Sequence, residues 1–248
     1  ARDAADAVVV EYEELPVVVD AWKAAQEGAP QLHEEAPNNI VLEWACGKEA
    51  DVVDTALAES DVTASMRIIN QRLIPTPMEP RGSVARYDPG TGDYTLWITS
   101  QAPHVMRLLI AAFVMGVPEQ KIRTISPDIG GGFGAKIFCY SDMPLTMAIS
   151  KKLGGRPIKF FEDRSENYVS TTHGRDHISD IEVGARKDGS ITALKVKTWA
   201  NIGAYFSTIA GGIPTTLYGR MIAGCYKIPN IRVDVTATYT NTAMVDAY

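Results

Sequence analysis

The sequence predicts an α+β fold with mixed sheets and packed helices, on three observations. Apolar residues make up 46% and charged residues 22% of the 248 residues, which is typical of a globular protein with a buried core. From about residue 60 onwards, strand-like and helix-like patterns alternate along the chain. Turn-forming residues separate these segments, and no internal repeat or low-complexity tract interrupts them.

The first 44 residues divide by composition into two segments. Residues 1–20 begin with the end of a short helix, followed by a predicted strand over 7–12 and a second apolar run at 17–19. Residues 21–40 are instead rich in Ala, Gln, Glu, Pro and Asn, a composition typical of linkers. We therefore predict a linker over 21–44, with a domain boundary inside it.

Two helices are predicted from the signals at their ends. The helix at 102–115 has Pro103 in its first turn, where no backbone N–H is needed, and Gly116 directly after its end. The helix at 140–153 ends at a Gly-Gly pair. The segment 203–218 is ambiguous between helix and strand.

Seven strands are predicted from runs of β-branched, aromatic and alternating residues. They lie at 84–87, 94–98, 121–126, 158–161, 176–185, 191–200 and 231–239. The first two flank a turn sequence at 88–93, and the strands at 176–185 and 191–200 are joined by a turn at 187–190. Each of these two pairs is therefore expected to be a pair of neighbouring strands.

Charge, hydropathy and cysteine content exclude several kinds of partner. The 24 Lys+Arg against 30 Asp+Glu give a net charge of -6, which speaks against nucleic acid or anionic lipid as the main partner. The longest apolar run, 105–114, is far short of the ~20 residues of a membrane span, and no signal peptide is visible. Cys46, Cys139 and Cys225 form no disulfide or zinc pattern, so we expect buried, reduced thiols in a cytoplasmic protein.

Residues 130–134 hold four glycines around Phe133 and are the most informative segment. Glycines inside regular structure cost roughly 0.5–1 kcal/mol each, so a special backbone requirement is indicated. The run joins a predicted strand to a predicted helix, the usual place for an anion or cofactor cradle. It fits neither a P-loop nor a dinucleotide fingerprint, because Phe133 would crowd a pyrophosphate. From these residues alone, a tight turn and a ligand-contacting loop both remain open.

With its context, this segment resembles a known family. The sequence SPDIGGGFGAK at 126–136 is similar to the glycine loop of molybdenum hydroxylase large subunits, the xanthine dehydrogenase and aerobic carbon monoxide dehydrogenase family. Further motifs of that family follow in the same order, at 77–82, 99–104, 116–123, 162–167, 174–176, 226–230 and 239–242. The likeness is strongest to large chains of the carbon monoxide dehydrogenase type.

The resemblance implies a domain plan and a cofactor. Residues 1–20 would be the tail of a small α/β hammerhead-type domain, and residues 45–248 the truncated N-terminal part of a molybdopterin-binding domain. The expected cofactor is a molybdenum-pterin, in the form of molybdopterin cytosine dinucleotide. Copper would require a cysteine in a loop beyond Tyr248, and residues 241–246 look more like the subgroup without it.

The resemblance also assigns candidate site residues. Gln101 would donate its side-chain amide N–H to an oxygen ligand of molybdenum without adding charge. The loop would offer backbone N–H groups through four cofactor-binding residues, Gly131, Gly132, Phe133 and Gly134. No metal ligand from the protein is expected, and the catalytic general base would lie beyond Tyr248, so no catalytic residue is assigned. Ile137 replaces the glutamate by which purine-oxidising relatives hold their substrate.

The implied function is oxidation of a small substrate with water-derived oxygen, and a fragment on its own would be inactive. Electrons would leave through an iron–sulfur subunit and an FAD subunit, which makes a hetero-oligomer, because no cluster-binding cysteine motif occurs in this chain. The alternative is a non-catalytic binding or structural domain that retains the fold without the metal. Molybdenum and pterin analysis of the full-length protein separates the two.

Several residues have a structural interpretation that competes with a functional one. Gln101 alone would be a polar residue at a helix N-terminus, and His104 a capping or surface residue. Glu79 and Arg81 could pair in a tight loop between prolines. The charged run at 162–166 is interpreted as a solvated helix start.

Two histidines and two aromatic pairs complete the candidates. His173 and His177 are four residues apart, but a strand that begins near them argues against a metal pair. The aromatic pairs at 160–161 and 205–206 are predicted to be core residues.

Overall fold

The structure is a computed structural model that describes residues 2–248. Within this range it has nine strands: β1 (Ile40–Gly47), β2 (Val62–Asn70), β3 (Gly82–Tyr87), β4 (Tyr94–Ile98), β5 (Ile122–Ile125), β6 (Ile158–Phe161), β7 (His177–Ala185), β8 (Ile191–Gly203) and β9 (Asn230–Tyr239). The α-helices in this range are α1 (Arg2–Asp6), α2 (Ala21–Ala24), α3 (Ala50–Ala58), α4 (Pro103–Leu109), α5 (Asp142–Lys152), α6 (Arg164–Ser170) and α7 (Tyr218–Met221). None of these helices has the length and apolar content that a bilayer crossing requires.

The strands form two mixed sheets. The five-stranded sheet has the order β1-β9-β8-β7-β2, in which β8 and β9 run parallel and the other neighbours antiparallel. The four-stranded sheet has the order β5-β4-β3-β6, in which β4 and β5 run parallel and the other neighbours antiparallel. Two mixed sheets with packed helices confirm the predicted α+β class.

The four-stranded sheet shares a core with α4 and α5. Leu96 and Ile98 of β4 are buried together with Met106 of α4 and with Met143 and Met147 of α5. Each such side chain contributes roughly 1.5–3 kcal/mol when it is removed from water. Because the loop between β5 and α5 joins two parts of this core, its two ends are held firmly.

The five-stranded sheet carries a second core. Val196 of β8 and Val233 of β9 are fully buried, and Tyr218 of α7 packs against this cluster. A smaller cluster joins Val53 of α3 to Ala193 of β8. Helical segments therefore pack against this sheet as well.

Most of the predicted elements after residue 60 are confirmed. The predicted strands at 84–87 and 94–98 are β3 and β4, which pair antiparallel. The predicted helix at 102–115 is α4 extended by a π-helical turn, Ile110–Met115. It ends at Gly116, whose φ of 60° is the left-handed conformation that glycine adopts readily. The ambiguous segment 203–218 contains a second π-helical turn, Ile213–Leu217.

The predictions for the first 70 residues are less accurate. The predicted strand at 7–12 is wrong, because residues 7–20 are in neither helix nor strand and have no neighbouring strand to pair with. Strands β1 and β2 and helix α3 were not predicted. The predicted linker at 21–44 contains the buried short helix α2 and the start of β1. The division of the chain into domains stays a prediction.

Exposure corrects three further predictions. Cys225 is exposed, so a buried thiol is wrong there, and Cys46 and Cys139 are half-buried rather than fully buried. Phe161 is also exposed, because side chains alternate along the edge strand β6 and this one points away from the core. Tyr205 and Phe206, which follow β8, are likewise exposed rather than core residues.

Candidate functional site

A loop of small residues connects β5 to α5 and carries the predicted site. Gly131, Phe133 and Gly134 have positive φ angles of 95°, 53° and 86°. Glycine adopts this backbone readily, whereas a left-handed conformation strains a residue such as Phe133 by roughly 1–2 kcal/mol. Such strain persists where the surroundings impose it, and it concentrates at ligand sites.

All four glycines of this loop lack room for a Cβ atom, and the contacts at Gly132 and Gly134 show what the middle of the loop packs against. A Cβ atom on Gly132 would overlap the side chain of Gln101, whose Cδ would be 2.9 Å away. A Cβ atom on Gly134 would overlap the backbone carbonyl of Ala247. The loop is therefore packed against Gln101 and against Ala247, and the backbone contact at Gly134, together with its positive φ, requires glycine there.

Gln101 lies between β4 and α4, and two hydrogen bonds join it to the loop. Its backbone N–H donates to the carbonyl oxygen of Lys136 at 3.3 Å. Its side-chain Oε1 accepts the N–H of Gly134 at 3.0 Å. Because the oxygen of the carboxamide faces the loop, the Nε2 group is the end that remains free to donate.

The middle of the loop presents free backbone donors. The N–H groups of Gly131, Gly132 and Phe133 donate to no acceptor within residues 2–248, whereas the N–H groups on either side of them are bonded to side chains. Consecutive free N–H groups form a concave surface that favours anions and metal-bound oxygens. The Phe133 ring beside them is 59% exposed. The loop can therefore bind an acceptor-rich group.

Glu79 and Lys136 hold the two ends of this loop. The Oε2 atom of Glu79 accepts the N–H of Gly130 at 2.8 Å and a hydrogen bond from Nζ of Lys136 at 3.2 Å. Lys136 is 1% exposed, and its burial lowers the pKa of its ammonium, against the opposing effect of Glu79. The hypothesis that Glu79 pairs with Arg81 is wrong, because each has a partner on a different segment.

Arg81 instead pairs with Glu162 in a buried cluster beneath the loop. Its Nη2 donates to Oε2 of Glu162 at 2.6 Å, and both residues are 4% exposed. Burial would raise the pKa of Glu162, but the hydrogen bonds and charge of Arg81 outweigh it and lower that pKa. The Arg81 guanidinium also stacks on Tyr140, whose hydroxyl donates to the carbonyl of Ala135 at 2.6 Å.

The charged run at 162–166 is thus only partly solvated. The predicted helix start is confirmed, since Asp163 caps α6 and exchanges hydrogen bonds with Glu166 in a capping box. Solvation of the first residue is wrong, because Glu162 is buried by its contact with Arg81. The sequence signal for this difference is the strand that ends directly before Glu162 and points it inwards.

The side chains of His173 and His177 have their contacts on elements other than the glycine loop. Nδ1 of His173 is 3.2 Å from Nη1 of Arg72, and His177 is buried in β7 beside the ring of Tyr218. Burial lowers the pKa of both, that of His177 to about 4. Within residues 2–248, no three His, Cys, Asp or Glu side chains come together in a way that could hold a metal ion. His104 is exposed in the first turn of α4.

Comparison with known proteins decides the family. Residues 32–248 match the family model of the molybdopterin cofactor-binding domain. The chain belongs to this family. The carbon monoxide dehydrogenase large chain of Hydrogenophaga pseudoflava is 40% identical over 98% of this chain, and the nicotine 6-hydroxylase large subunit of Paenarthrobacter nicotinovorans is 34% identical over 83% of it. The chain covers 31% and 24% of these relatives' lengths.

Solved structures of molybdenum hydroxylases have the same fold. Reconstituted CO dehydrogenase from Oligotropha carboxidovorans superposes with a TM-score of 0.87 at 35% identity, over 100% of this chain and 32% of that one. Quinoline 2-oxidoreductase from Pseudomonas putida 86 superposes with a TM-score of 0.89 at 32% identity, over 100% and 31%. The resemblance to molybdenum hydroxylase large subunits is confirmed.

The glycine loop of this domain fits a molybdopterin cofactor chemically. Metal-bound oxygens and phosphate oxygens accept hydrogen bonds, and the N–H groups of residues 131–133 with the Nε2 of Gln101 are free to donate them. The structure brings together the five residues that were predicted as a site, namely Gln101, Gly131, Gly132, Phe133 and Gly134. Their contact with the cofactor stays a prediction.

Sequence reasoning missed the residues that support the loop in this domain. Lys136 lies two residues after the last glycine of the run, but lysine side chains are almost never fully buried, so its residue type indicates a surface position. Glu79 belongs to a motif of the resemblance, and its bond to Gly130 bridges 51 residues, which no local pattern reveals.

Proposed function

We propose that this chain is part of the large subunit of a molybdenum hydroxylase that oxidises a small substrate with oxygen derived from water. Relatives of similar fold are named for carbon monoxide, nicotine and quinoline, all of them small molecules. The chain covers 24% to 31% of their lengths, so it would supply one part of the active site.

Two elements of this chain would hold the molybdenum-pterin. When bound, this group supplies two-electron redox chemistry. The N–H groups of residues 131–133 would donate to its acceptor atoms, and the Nε2 of Gln101 would donate to an oxygen ligand of the metal. Since the surrounding hydrogen bonds already fix the loop and the carboxamide, these donors would need little reorganisation.

The residue after the loop limits the substrate. Ile137 is apolar and cannot form the hydrogen bonds that hold a purine ring, so the proposed substrate is a small non-purine molecule. The identity of 40% with a carbon monoxide dehydrogenase large chain supports an enzyme of that subgroup's general type.

Partners and the form of the cofactor complete the proposal. Large chains and large subunits imply further subunits, and we propose an iron–sulfur subunit and an FAD subunit as the electron acceptors. The pterin is proposed to be the cytosine dinucleotide, which hydrolysis of the released cofactor would identify by its nucleotide. Copper is not part of the proposal.

A single observation carries this function. The hydrogen bond from the N–H of Gly134 to Oε1 of Gln101 joins two distant segments and leaves the amide nitrogen and three loop donors free. These donors belong to half-buried or exposed residues, so a ligand can reach them from the open side of the loop.

The test uses the complete large subunit with its partner subunits, produced in a host that makes molybdenum cofactor. Gln101→Ala removes the donor and is expected to lower turnover per molybdenum about 10²-fold, in the range seen for loss of one oxyanion donor. Gln120→Ala, at an exposed position in the turn before β5, is the matched control and should leave turnover unchanged.

The proposed enzyme and the alternative, a non-catalytic domain, predict different molybdenum and pterin contents for the purified protein. Molybdenum and pterin in about equal amount to the subunit support the proposed enzyme. Their absence from the complete protein would contradict it and would favour the non-catalytic binding or structural domain. Equal turnover in Gln101→Ala and wild type would contradict the role of Gln101.

A further inference from the structure

One carboxylate oxygen joins the two ends of the glycine loop. The Oε2 of Glu79 accepts from the backbone N–H of Gly130 at 2.8 Å and from Nζ of Lys136 at 3.2 Å. The backbone N–H of Glu79 in turn donates to the carbonyl of Gly130 at 3.2 Å. The loop is thereby closed into a ring whose free N–H groups, at 131–133, lie between the two anchored ends.

Packing leaves this arrangement little freedom. A Cβ atom on Gly130 would be 3.1 Å from the backbone nitrogen of Glu79, so the two segments are in close contact. Lys136 is 1% exposed, and Glu79 is the acceptor of its ammonium within residues 2–248. A buried ammonium without a counter-charge is strongly unfavourable, so loss of the carboxylate would force the loop to rearrange or Lys136 to lose its proton.

We infer that Glu79 is a positioning residue of the proposed cofactor site, because its carboxylate sets the backbone from which Gly131, Gly132 and Phe133 donate. This inference rests on the proposed function. Glu79 makes no contact with reacting atoms in this assignment. Its effect on turnover would act through the geometry of the loop. A misplacement of catalytic or binding groups by about 1 Å can lower a rate by about 10²-fold.

A purely structural ion pair would behave differently when both charges are removed together. In the double variant Glu79→Gln/Lys136→Met no buried charge is left unpaired, and the amide oxygen can still accept from Gly130. If the pair only stabilises the fold, this variant regains normal properties. If the carboxylate positions the loop, the double variant is as stable as wild type, but the hydrogen bond between residues 79 and 136 is missing and the loop is less well held.

The experiment compares this double variant with wild type in the complete enzyme with its partner subunits. We expect a thermal transition close to that of wild type, because about 1 kcal/mol shifts the Tm of a 150–250-residue domain by only about 2–4 °C and that of a larger protein by less. We further expect faster amide hydrogen exchange in the peptide that spans residues 130–136, and turnover per molybdenum lowered at least about tenfold. The matched control is Asp93→Asn/Lys121→Met, which removes an exposed ion pair at 2.9 Å.

Each outcome decides the inference. Wild-type exchange and turnover in the double variant would overturn it. Should the double variant fail to fold, Glu79→Asp keeps the charge but shortens the side chain by one methylene, and unchanged exchange and turnover there would overturn it equally. A wild-type enzyme without molybdenum would contradict the proposed function instead, and that result is recognised before any variant is compared.

Discussion

The guanidinium carbon of Arg81 lies 3.3 Å from the centre of the Tyr140 ring, and the hydroxyl of Tyr140 donates to the carbonyl of Ala135 at 2.6 Å. The same guanidinium is paired with the buried Glu162. A cation–π contact and an ion pair thus meet at one residue, directly under the glycine loop. Substitutions in this cluster should therefore lower the stability of the fold and also disturb the conformation of the loop.

Replacement of Arg81 tests how much the cluster stabilises the fold. In Arg81→Met the carboxylate of Glu162 is left buried and without its cation, so we expect a loss of about 3–5 kcal/mol in unfolding free energy. The comparison is Arg67→Met, which breaks the exposed pair with Asp180 and should cost much less, because solvent screens exposed pairs. Chemical denaturation of the complete subunit measures both. A smaller loss for Arg81→Met than for Arg67→Met would contradict the prediction.

His177 predicts loss of stability in mild acid. Burial lowers its pKa from 6.5 to about 4, so the unfolded chain takes up the proton first. The stabilisation is fully present above pH 6.5 and is lost as pH falls towards 4, by about 3 kcal/mol at 1.36 kcal/mol per pKa unit. Thermal unfolding across this range measures the slope.

The variant His177→Gln removes this titration and should flatten the slope between pH 4 and 6.5. It should not abolish the slope, because burial and Arg72 lower the pKa of His173 in the same direction. The lowered pKa of Glu162 adds a loss of stability of its own as the pH falls through the ordinary value of 4.5, so the comparison of slopes is cleanest in the upper part of the range. An identical slope in His177→Gln and wild type would rule out His177 as the cause.

A comparison of two glycine-to-alanine variants distinguishes the cost of backbone strain from the cost of a steric clash. Gly134 and Gly189 have φ angles of 86° and 88°, but only at Gly134 would a Cβ atom meet other atoms within 4 Å. Gly189→Ala should therefore cost roughly 1–2 kcal/mol from strain. Gly134→Ala carries the same strain and must also displace the Ala247 carbonyl. We expect it to lose molybdenum and pterin from the complete enzyme, and equal cofactor content in both variants would contradict this.

The parts of the fold that the sequence predicts well are those with local signals. β3 and β4 flank a turn that contains Pro89, Gly90 and Gly92, and the helix after them is bounded by Pro103 and Gly116. β2 lacks such a signal, because all nine of its residues are exposed and no alternation between a buried and a solvent face is imposed. Its position depends on β7, more than 100 residues later.

The sequence predicted the residues of the candidate site, but not the ion pair that holds the glycine loop in place. Gln101 and the glycine loop both belong to motifs of the resemblance, which implies that they lie close together. The hydrogen bond from the Gly134 N–H to Gln101 shows that they do. The burial of Lys136 could not be predicted, because its counter-charge on Glu79 lies 57 residues away. Charged residues become buried only through such distant partners, and patterns along a chain do not reveal them.

The Gly134 N–H has a consequence for the chemical polarity of the site. A free glutamine can turn its amide by half a rotation and offer either an oxygen or an NH2 group at nearly equal energy. Here the backbone occupies the oxygen, so the side chain has lost that choice. A molecule that approaches the Nε2 end of Gln101 meets a hydrogen-bond donor, and selection for electron-rich atoms at this end is thus fixed before a ligand arrives.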